Sequence, residues 1–350
     1  MTPSPLPLDP DRFFNRTTPG AHEWWYFDAI SDDGRDAIVV VFYAGLPFDP
    51  SYGVATLRHL KNPAKYPQPR ALDHSAIGFS WYRDGKAIAY ALNGFKADRF
   101  AHQAEPFSVE VSTSRVQRDS DGYTLTIATP SVEGRPIRAE FRFQPAASTE
   151  PFERDLGTPE APHNWLLVAS DCRVEGSATF GDEQHPFQGR GYHDHNAGAE
   201  DLSVAMKRWE WGRFHHGTTT EIYYASEPRQ GTPQSLWITC EAGRPSLIRE
   251  VVELSGVSWR GRSHFGLQGH DPLFISSEQS LLSQLNGPCV DDGPFYRRWI
   301  PTFEKTDVVT GSVEDQSSEG PGIAELLDTR NLHKFWFNWM IPYRLKWPKS

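Results

Sequence analysis

Sulfur is scarce in this sequence: its 350 residues include three cysteines and three methionines. Cys172, Cys240 and Cys289 are far apart, odd in number and form no C-x-x-C pair, so neither a disulfide framework nor a cysteine-rich zinc site is expected. Positive charge is also short, with 35 Lys and Arg against 45 Asp and Glu and a net charge of -10. That sign, with no basic run or stripe, argues against nucleic acid as a partner, because phosphate neutralisation needs cations. Nor does it point to an anionic membrane surface. No stretch approaches the ~18 uninterrupted apolar residues of a spanning helix, so stable membrane insertion is not expected. The Pro-rich segment from Met1 to Pro10 lacks the basic and apolar regions of a signal peptide, and the expected location is the cytoplasm. A G-x-S-x-G elbow, a Walker loop and a G-x-G-x-x-G after a strand are missing too. Their absence argues against serine hydrolases, P-loop NTPases and nicotinamide dehydrogenases.

What is plentiful is aromatic and turn-forming residues. The chain is 38% hydrophobic and 13% aromatic, which excludes a disordered protein. Gly and Pro, 28 of each, punctuate short runs of Val, Ile, Thr, Tyr, Phe and Trp. Such runs between turn residues predict antiparallel strands. In the first half these are Ala37 to Tyr43, Ile77 to Tyr82, Ala87 to Leu92, Phe107 to Val111, Tyr123 to Ala128, Ile137 to Phe143, Leu166 to Ala169 and Arg173 to Phe180. Asp84-Gly85 between the second and third of them predicts a hairpin. In the second half, Thr218 to Ala225, Leu236 to Cys240, Val251 to Leu254 and Val257 to Trp259 follow the same style. Helical patterns are weak, and Ser276 to Leu285 and Ile323 to Trp336 are the candidates. Pro145 to His163 reads as a loop.

The two halves echo each other. Glu23-Trp24-Trp25-Tyr26-Phe27-Asp28 opens one series of strands and Trp209-Glu210-Trp211-Gly212-Arg213-Phe214 the other. Each precedes a strand ending in aromatics, Phe42-Tyr43 and Tyr223-Tyr224. The expected architecture is therefore all-β: two antiparallel β-barrel domains with a few short helices, residues 1–199 and 200–350. Closure of a sheet hides its edges, and a barrel of about eight strands can hold one small ligand.

Three clusters could carry chemistry. The densest runs from Gly189 to Gly198 (GRGYHDHNAG). In an extended chain His193 and His195 share one face while Tyr192, Asp194 and Asn196 share the other. An Asp beside a His in a dry cavity can supply a proton with a shifted pKa. Alternatively, His193 and His195 with His215 or His216 could bind a divalent ion, or the segment could be a hydrogen-bonded linker between barrels. In the second cluster, Glu23, Trp25 and Phe27 alternate with Trp24, Tyr26 and Asp28, and ring faces between carboxylates suit cationic intermediates. The third is the aromatic tail from Phe335 to Tyr343, expected to seal a barrel, with a membrane-facing patch as the lesser alternative.

These motifs together resemble the carotenoid 1,2-hydratases (hydroxyneurosporene synthases) and their lipocalin-like relatives. The resemblance is carried by Glu23 to Gly34 (EWWYFDAISDDG), Asp73-His74, Gly191 to Gly198 (GYHDHNAG), Arg208 to Trp211 (RWEW), Asp292 to Tyr296 (DGPFY) and Trp339 to Leu345 (WMIPYRL). It covers most of the chain. It implies two lipocalin-like barrels, no organic or redox cofactor, and protonation of a terminal isoprenoid double bond followed by capture of the cation by water; no metal ligand is assigned. Relatives include cyclases and Diels-Alderase-like enzymes acting on terpenoids or polyketides. The family's D-H-N-W-G motif falls on Asp194, His195, Asn196, Ala197 and Gly198, with Ala197 in the aromatic position. Tyr223 and Tyr224 match its Tyr region, but Ala225 or Ser226 stands where an acid is expected, and His193 replaces an apolar residue. Ala197 in place of Trp suggests a wider cavity.

The leading expectation is cofactor-free, acid-catalysed hydration or cyclisation of a hydrophobic polyene or terpenoid. Asp194 or His195 would donate the proton, Tyr192 and Asn196 would orient it, and Tyr223 would join this catalytic set. Glu23, Trp24, Trp25, Tyr26, Asp28, His193, Trp209, Trp211 and Tyr224 would form the substrate-binding surface. A pericyclase that works by holding reacting ends together and a non-enzymatic carrier of a hydrophobic ligand are the competing expectations.

Overall fold

The computed structural model describes residues 8–250, 253–258, 265, 267, 269–277, 280–285, 287–307, 316–338, 340–341 and 344–348. Two curled sheets make up nearly all of it, antiparallel except where Leu345–Lys346 pairs parallel with Lys86–Phe95. The first has thirteen strands among the described residues, with His22–Ser31 and Glu183–Gly198 side by side at its centre. On one flank lie Asp36–Ala44, Ser75–Arg83 and Lys86–Phe95; on the other, His163–Phe180, Pro136–Pro145 and Gly122–Pro130. The second has eleven, centred on Met206–His216 between Thr219–Pro228 and Gln316–Asp328. The all-β expectation of two lipocalin-like barrels holds.

Turn chemistry sets the local registers. Asp84 and Gly85 both take positive φ (49° and 74°) between Ser75–Arg83 and Lys86–Phe95, the primed turn whose twist matches its strands. The expected strands on described residues match observed ones, with Phe107 and Thr218 one residue outside Ser108–Val111 and Thr219–Pro228; those over 251–254 and 257–259 fall partly outside the described residues, and Glu253–Ser258 is a single strand. Phe152–Asp155, within the expected loop, pairs with His163–Phe180. No helix among the described residues is long and apolar enough to cross a membrane.

Both expected helices are corrected. Ser280–Gln284 is a strand between His270–Ser276 and Thr302–Asp307. Ile323 to Asp328 is the end of the strand Gln316–Asp328, followed by a 3-10 turn, and only Phe335–Asn338 is helical in that stretch. The cause is two-sided burial. Ile323 and Leu327 pack between the sheets while Ala324 and Leu326 pack inside the second barrel. An apolar run on both faces erases the alternation that marks a strand. Conversely, a helix at Pro50–Lys61 went unanticipated, although Asp49 caps it, Pro50 starts it and Arg58, His59 and Lys61 close it.

The cores follow from alternation. Trp25, Phe27 and Ala29 join Phe42, Phe79, Trp81 and Phe141 inside the first barrel, which side chains fill. Trp24, Tyr26 and Ile30 point outward and meet Trp209, Trp211 and Tyr224 of the second sheet. The two echoing segments therefore face one another, with Trp24 and Trp209 ring centroids 6.2 Å apart and Tyr26 edge-on to Trp211 at 5.6 Å.

Candidate active site

The principal cavity lies between the two sheets, not inside either barrel as expected. It has a volume of about 430 Å³, within the range of sites for drug-sized ligands. Outward residues of the first sheet (Trp24, Tyr26, Val41, Tyr90) form one wall and Trp209, Tyr296, Arg298 and Glu325 the other. Met340, Ile341 and Arg344 from the chain's end complete it. A niche of about 30 Å³ shares Trp24, Tyr26, Trp209 and Glu325 with this cavity and adds Asp194, Asn196, Trp211 and Tyr224.

The GYHDHNAG segment is no linker. It ends the central strand Glu183–Gly198, in unbroken register with His22–Ser31: Asn196 opposite Trp24, Asp194 opposite Tyr26, Tyr192 opposite Asp28. That pairing turns Asp194 and Asn196 toward the niche. Gly198 is required by close approach, since a Cβ there would come 2.3 Å from the His22 ring.

Asp194 is the centre of a hydrogen-bonded group. Its Oδ2 accepts from Trp165 Nε1 at 3.0 Å and from the Tyr192 hydroxyl at 2.9 Å, and its Oδ1 accepts from Asn196 Nδ2 at 2.9 Å. Burial pushes its pKa up to about 8, against the hydrogen bonds from Trp165 and Tyr192 and with help from the charges of Glu325 and Asp28. Loss of hydration outweighs three good donors, so the carboxyl carries its proton near neutrality. Across the niche, Glu325 Oε1 accepts from the Tyr26 hydroxyl at 3.0 Å and from Arg298 Nε at 2.8 Å. Arg298 also donates to the Tyr82 hydroxyl at 3.0 Å. Arg344 pairs with Asp291 at the cavity wall.

The sheet divides the sequence-predicted residues into two groups. Trp24, Tyr26, Asp194, Asn196, Trp209, Trp211 and Tyr224 line the niche together, with Tyr192 held behind Asp194. Glu23, Trp25, His193 and His195 point the other way. His195 Nε2 meets Glu23 Oε1 at 2.8 Å, and the His195 ring stacks on Trp25 at 4.8 Å. Glu23 also accepts from the backbone N–H groups of Phe14 and Asn15, which fastens the N-terminal segment to the barrel. His193 stacks on Phe27 at 3.8 Å, and burial holds its pKa down at about 3. Ala197 shares this face, so the alanine leaves the cavity between the sheets unchanged in width. Asp28 does not line the cavity either: it pairs with Arg213, both fully buried. Tyr223 packs inside the second barrel with Phe214 and Trp237. His193, His195, His215 and His216 are not gathered; no group of three or more metal-ligating side chains occurs among the described residues.

Sequence reasoning missed Glu325, Arg298, Trp165, Tyr82 and Arg344. Glu325 was hidden in the stretch read as helix. It stands opposite Trp211 in the strand pairing, so a carboxylate does face the niche, from a different strand than expected. Arg344 lay within WMIPYRL, a segment that carried the resemblance without an assigned role.

Comparison with known proteins agrees with this architecture. The family described as Carotenoid hydratase CrtC matches residues 66–349. The chain is 28% identical over 326 residues to a hydroxyneurosporene dehydrogenase of Chlorobaculum tepidum, covering 89% of this chain and 83% of that protein. It is 32% identical over 300 residues to an acyclic carotenoid 1,2-hydratase of Thiocapsa roseopersicina, covering 82% of this chain and 66% of that protein. Among solved structures it is similar to CghA crystallised with Sch210972, with a TM-score of 0.57, 13% identity and 89% of each chain covered. At that identity the likeness speaks for the fold.

Proposed function

The chain belongs to the carotenoid hydratase family, and from that premise we propose that it hydrates an acyclic polyene or terpenoid bound between its sheets, with Asp194 as the proton donor. The observation that carries this reading is a buried carboxyl with a pKa of about 8 facing a niche lined by Trp24, Tyr26, Trp209, Trp211 and Tyr224. A carboxyl kept neutral by burial is an acid available at physiological pH.

The niche is sized for about one water, while the main cavity takes the end of the hydrocarbon. In the proposed cycle that water passes a proton to one carbon of the terminal double bond as it receives the proton of Asp194. The neighbouring carbon becomes a tertiary cation, stabilised by the surrounding ring faces. The same water then adds to the cation and returns its spare proton to the Asp194 carboxylate. One water is consumed, the acid is regenerated, and the balance needs no cofactor. Tyr192 and Asn196 hold the carboxyl in place. His195, on the far side of the sheet, has no part in the cycle. The division of the chain into 1–199 and 200–350 belongs to the same proposal, as does a cytoplasmic location.

Asp194→Asn tests it. The amide preserves shape and cannot donate the proton, so turnover of an acyclic polyene should fall by at least about a thousandfold, within the range of general acid catalysis, with the circular dichroism spectrum unchanged. Unaltered turnover removes Asp194 from the mechanism. A second reading is favoured by the cavity's size, which suits a folded substrate: ring closure by templating. It would survive this substitution with a cyclic product.

A further inference from the structure

The net charge of -10 conceals a local reversal. Residues 50–70 contain Arg58, Lys61, Lys65 and Arg70 and no acidic residue. Residues 329–350 contain Arg330, Lys334, Arg344, Lys346 and Lys349, again with no acid. The same two stretches hold five of the nine large apolar side chains exposed among the described residues: Leu57, Leu60, Phe335, Trp336 and Trp347. Phe335 and Trp336 are the most exposed of all, at 77% and 68%, with their rings 5.1 Å apart.

The described residues of these stretches form one region of the molecule. His333 lies so close to Gly53 of the Pro50–Lys61 helix that a Cβ there would come 2.0 Å from its ring. Tyr52 of the same helix stacks on His74 at 4.6 Å, and His74 meets Trp347 edge-on at 6.2 Å. The region also borders the substrate cavity: Phe48, just before the helix, and Met340, Ile341 and Arg344, just after Phe335–Asn338, line its wall.

Exposed Trp and Phe beside Lys and Arg is the composition that settles at a lipid headgroup boundary; Arg330 and Arg344 pair with Asp328 and Asp291, and Arg70 lies 4.0 Å from Asp73, so the charge offered to lipid is that of Arg58, Lys61 and Lys65. Basic residues are drawn to anionic lipid, and the attraction is screened by salt. We propose that this face docks on an anionic lipid bilayer, so that the cavity wall formed by Met340 and Ile341 sits at the membrane and the substrate enters from the acyl phase. The docking stands on the charge and exposure pattern; the entry of a polyene rests on the function proposed above. Attachment is peripheral and adds no spanning segment.

The test is flotation of the full chain with phosphatidylcholine vesicles, with and without phosphatidylglycerol, at low and high salt. Wild type is expected to float with the anionic vesicles and to be released by salt. The double substitution Phe335→Ser and Trp336→Ser should lower the bound fraction about tenfold or more, and Lys61→Glu with Lys65→Glu should abolish the preference for anionic lipid. Neither pair lines the cavity, so turnover of a detergent-dispersed polyene should be retained while turnover of a vesicle-borne one falls. Failure of wild type to bind anionic vesicles overturns the proposal, as does binding untouched by Phe335→Ser and Trp336→Ser. A sedimentation shift from dimer to monomer in that variant, without vesicle binding by wild type, assigns the face to a second copy and also overturns it. Docking without turnover of any dispersed polyene would instead sink the catalytic reading and leave the docking intact.

Discussion

Asp194 holds its proton because the folded chain removes its water faster than Trp165, Tyr192 and Asn196 can replace it. If the protonated form is the working acid, kcat/KM should be flat below about pH 7 and fall about tenfold per unit above about pH 8. Trp165→Phe removes one donor to the carboxylate and should move that limb to higher pH. A flat profile through pH 9 would count against proton donation. The same shift bears on stability. The pKa rises from an ordinary 3.8 to about 8 on folding, so the folded chain holds a proton that the unfolded chain releases between those values. Its contribution is complete below about pH 4 and is lost as pH rises through about 8. Asp194→Asn should therefore raise the Tm relative to wild type more at pH 9 than at pH 5. At this scale the sequence was informative: a D-H-N triplet between glycines singled out a stretch whose Asp194 and Asn196 line the niche. It could not separate Asp194 from His195, because that choice depends on which face of the strand meets the cavity.

At the scale of single elements, the strand Glu183–Gly198 does two jobs with its two faces. Asp194 and Asn196 serve the niche, while His193 and His195 close the first barrel. His195→Ala would leave the Glu23 carboxylate short of a partner and loosen the N-terminal segment. A loss of about 1–3 kcal/mol in unfolding free energy is expected from denaturant titration, with kcat of the folded fraction unchanged. A collapse of kcat with normal stability would return His195 to the mechanism. Elements with one wet face, such as Gly122–Pro130, announced themselves by alternation. Gln316–Asp328 did not, because Ile323, Leu327, Ala324 and Leu326 are buried on both sides, and Glu325 was lost to view with them.

The molecule as a whole is joined across its sheets by polar groups as well as rings. Asp28 of the first sheet and Arg213 of the second form an ion pair with no solvent exposure on either side. Removing one charge strands the other in a low-dielectric interior, so Asp28→Ala should cost about 3–5 kcal/mol. Replacing both, as Asp28→Asn with Arg213→Met, should recover much of that. Chemical denaturation of Asp28→Asn, Arg213→Met and the double variant checks this, and additive losses would show that the two residues act independently. Glu325 makes a second bridge, reaching Tyr26 of the first sheet from a strand of the second. None of these pairings is visible in spacing, since the partners lie 185 and 299 residues apart.

The sequence by itself settled the fold class and the family, and it pointed to segments that line the niche. Turn residues, β-branched runs and short motifs act over a few neighbours and are written in order along the chain. Tertiary structure alone decided that the hollow lies between the barrels, that Asp194 faces it while His195 and Ala197 face away, and that Glu325 and Arg298 complete it. Those outcomes follow from how two curled sheets pack their outer faces together, and a strand carries no mark of which of its two faces will meet a distant partner.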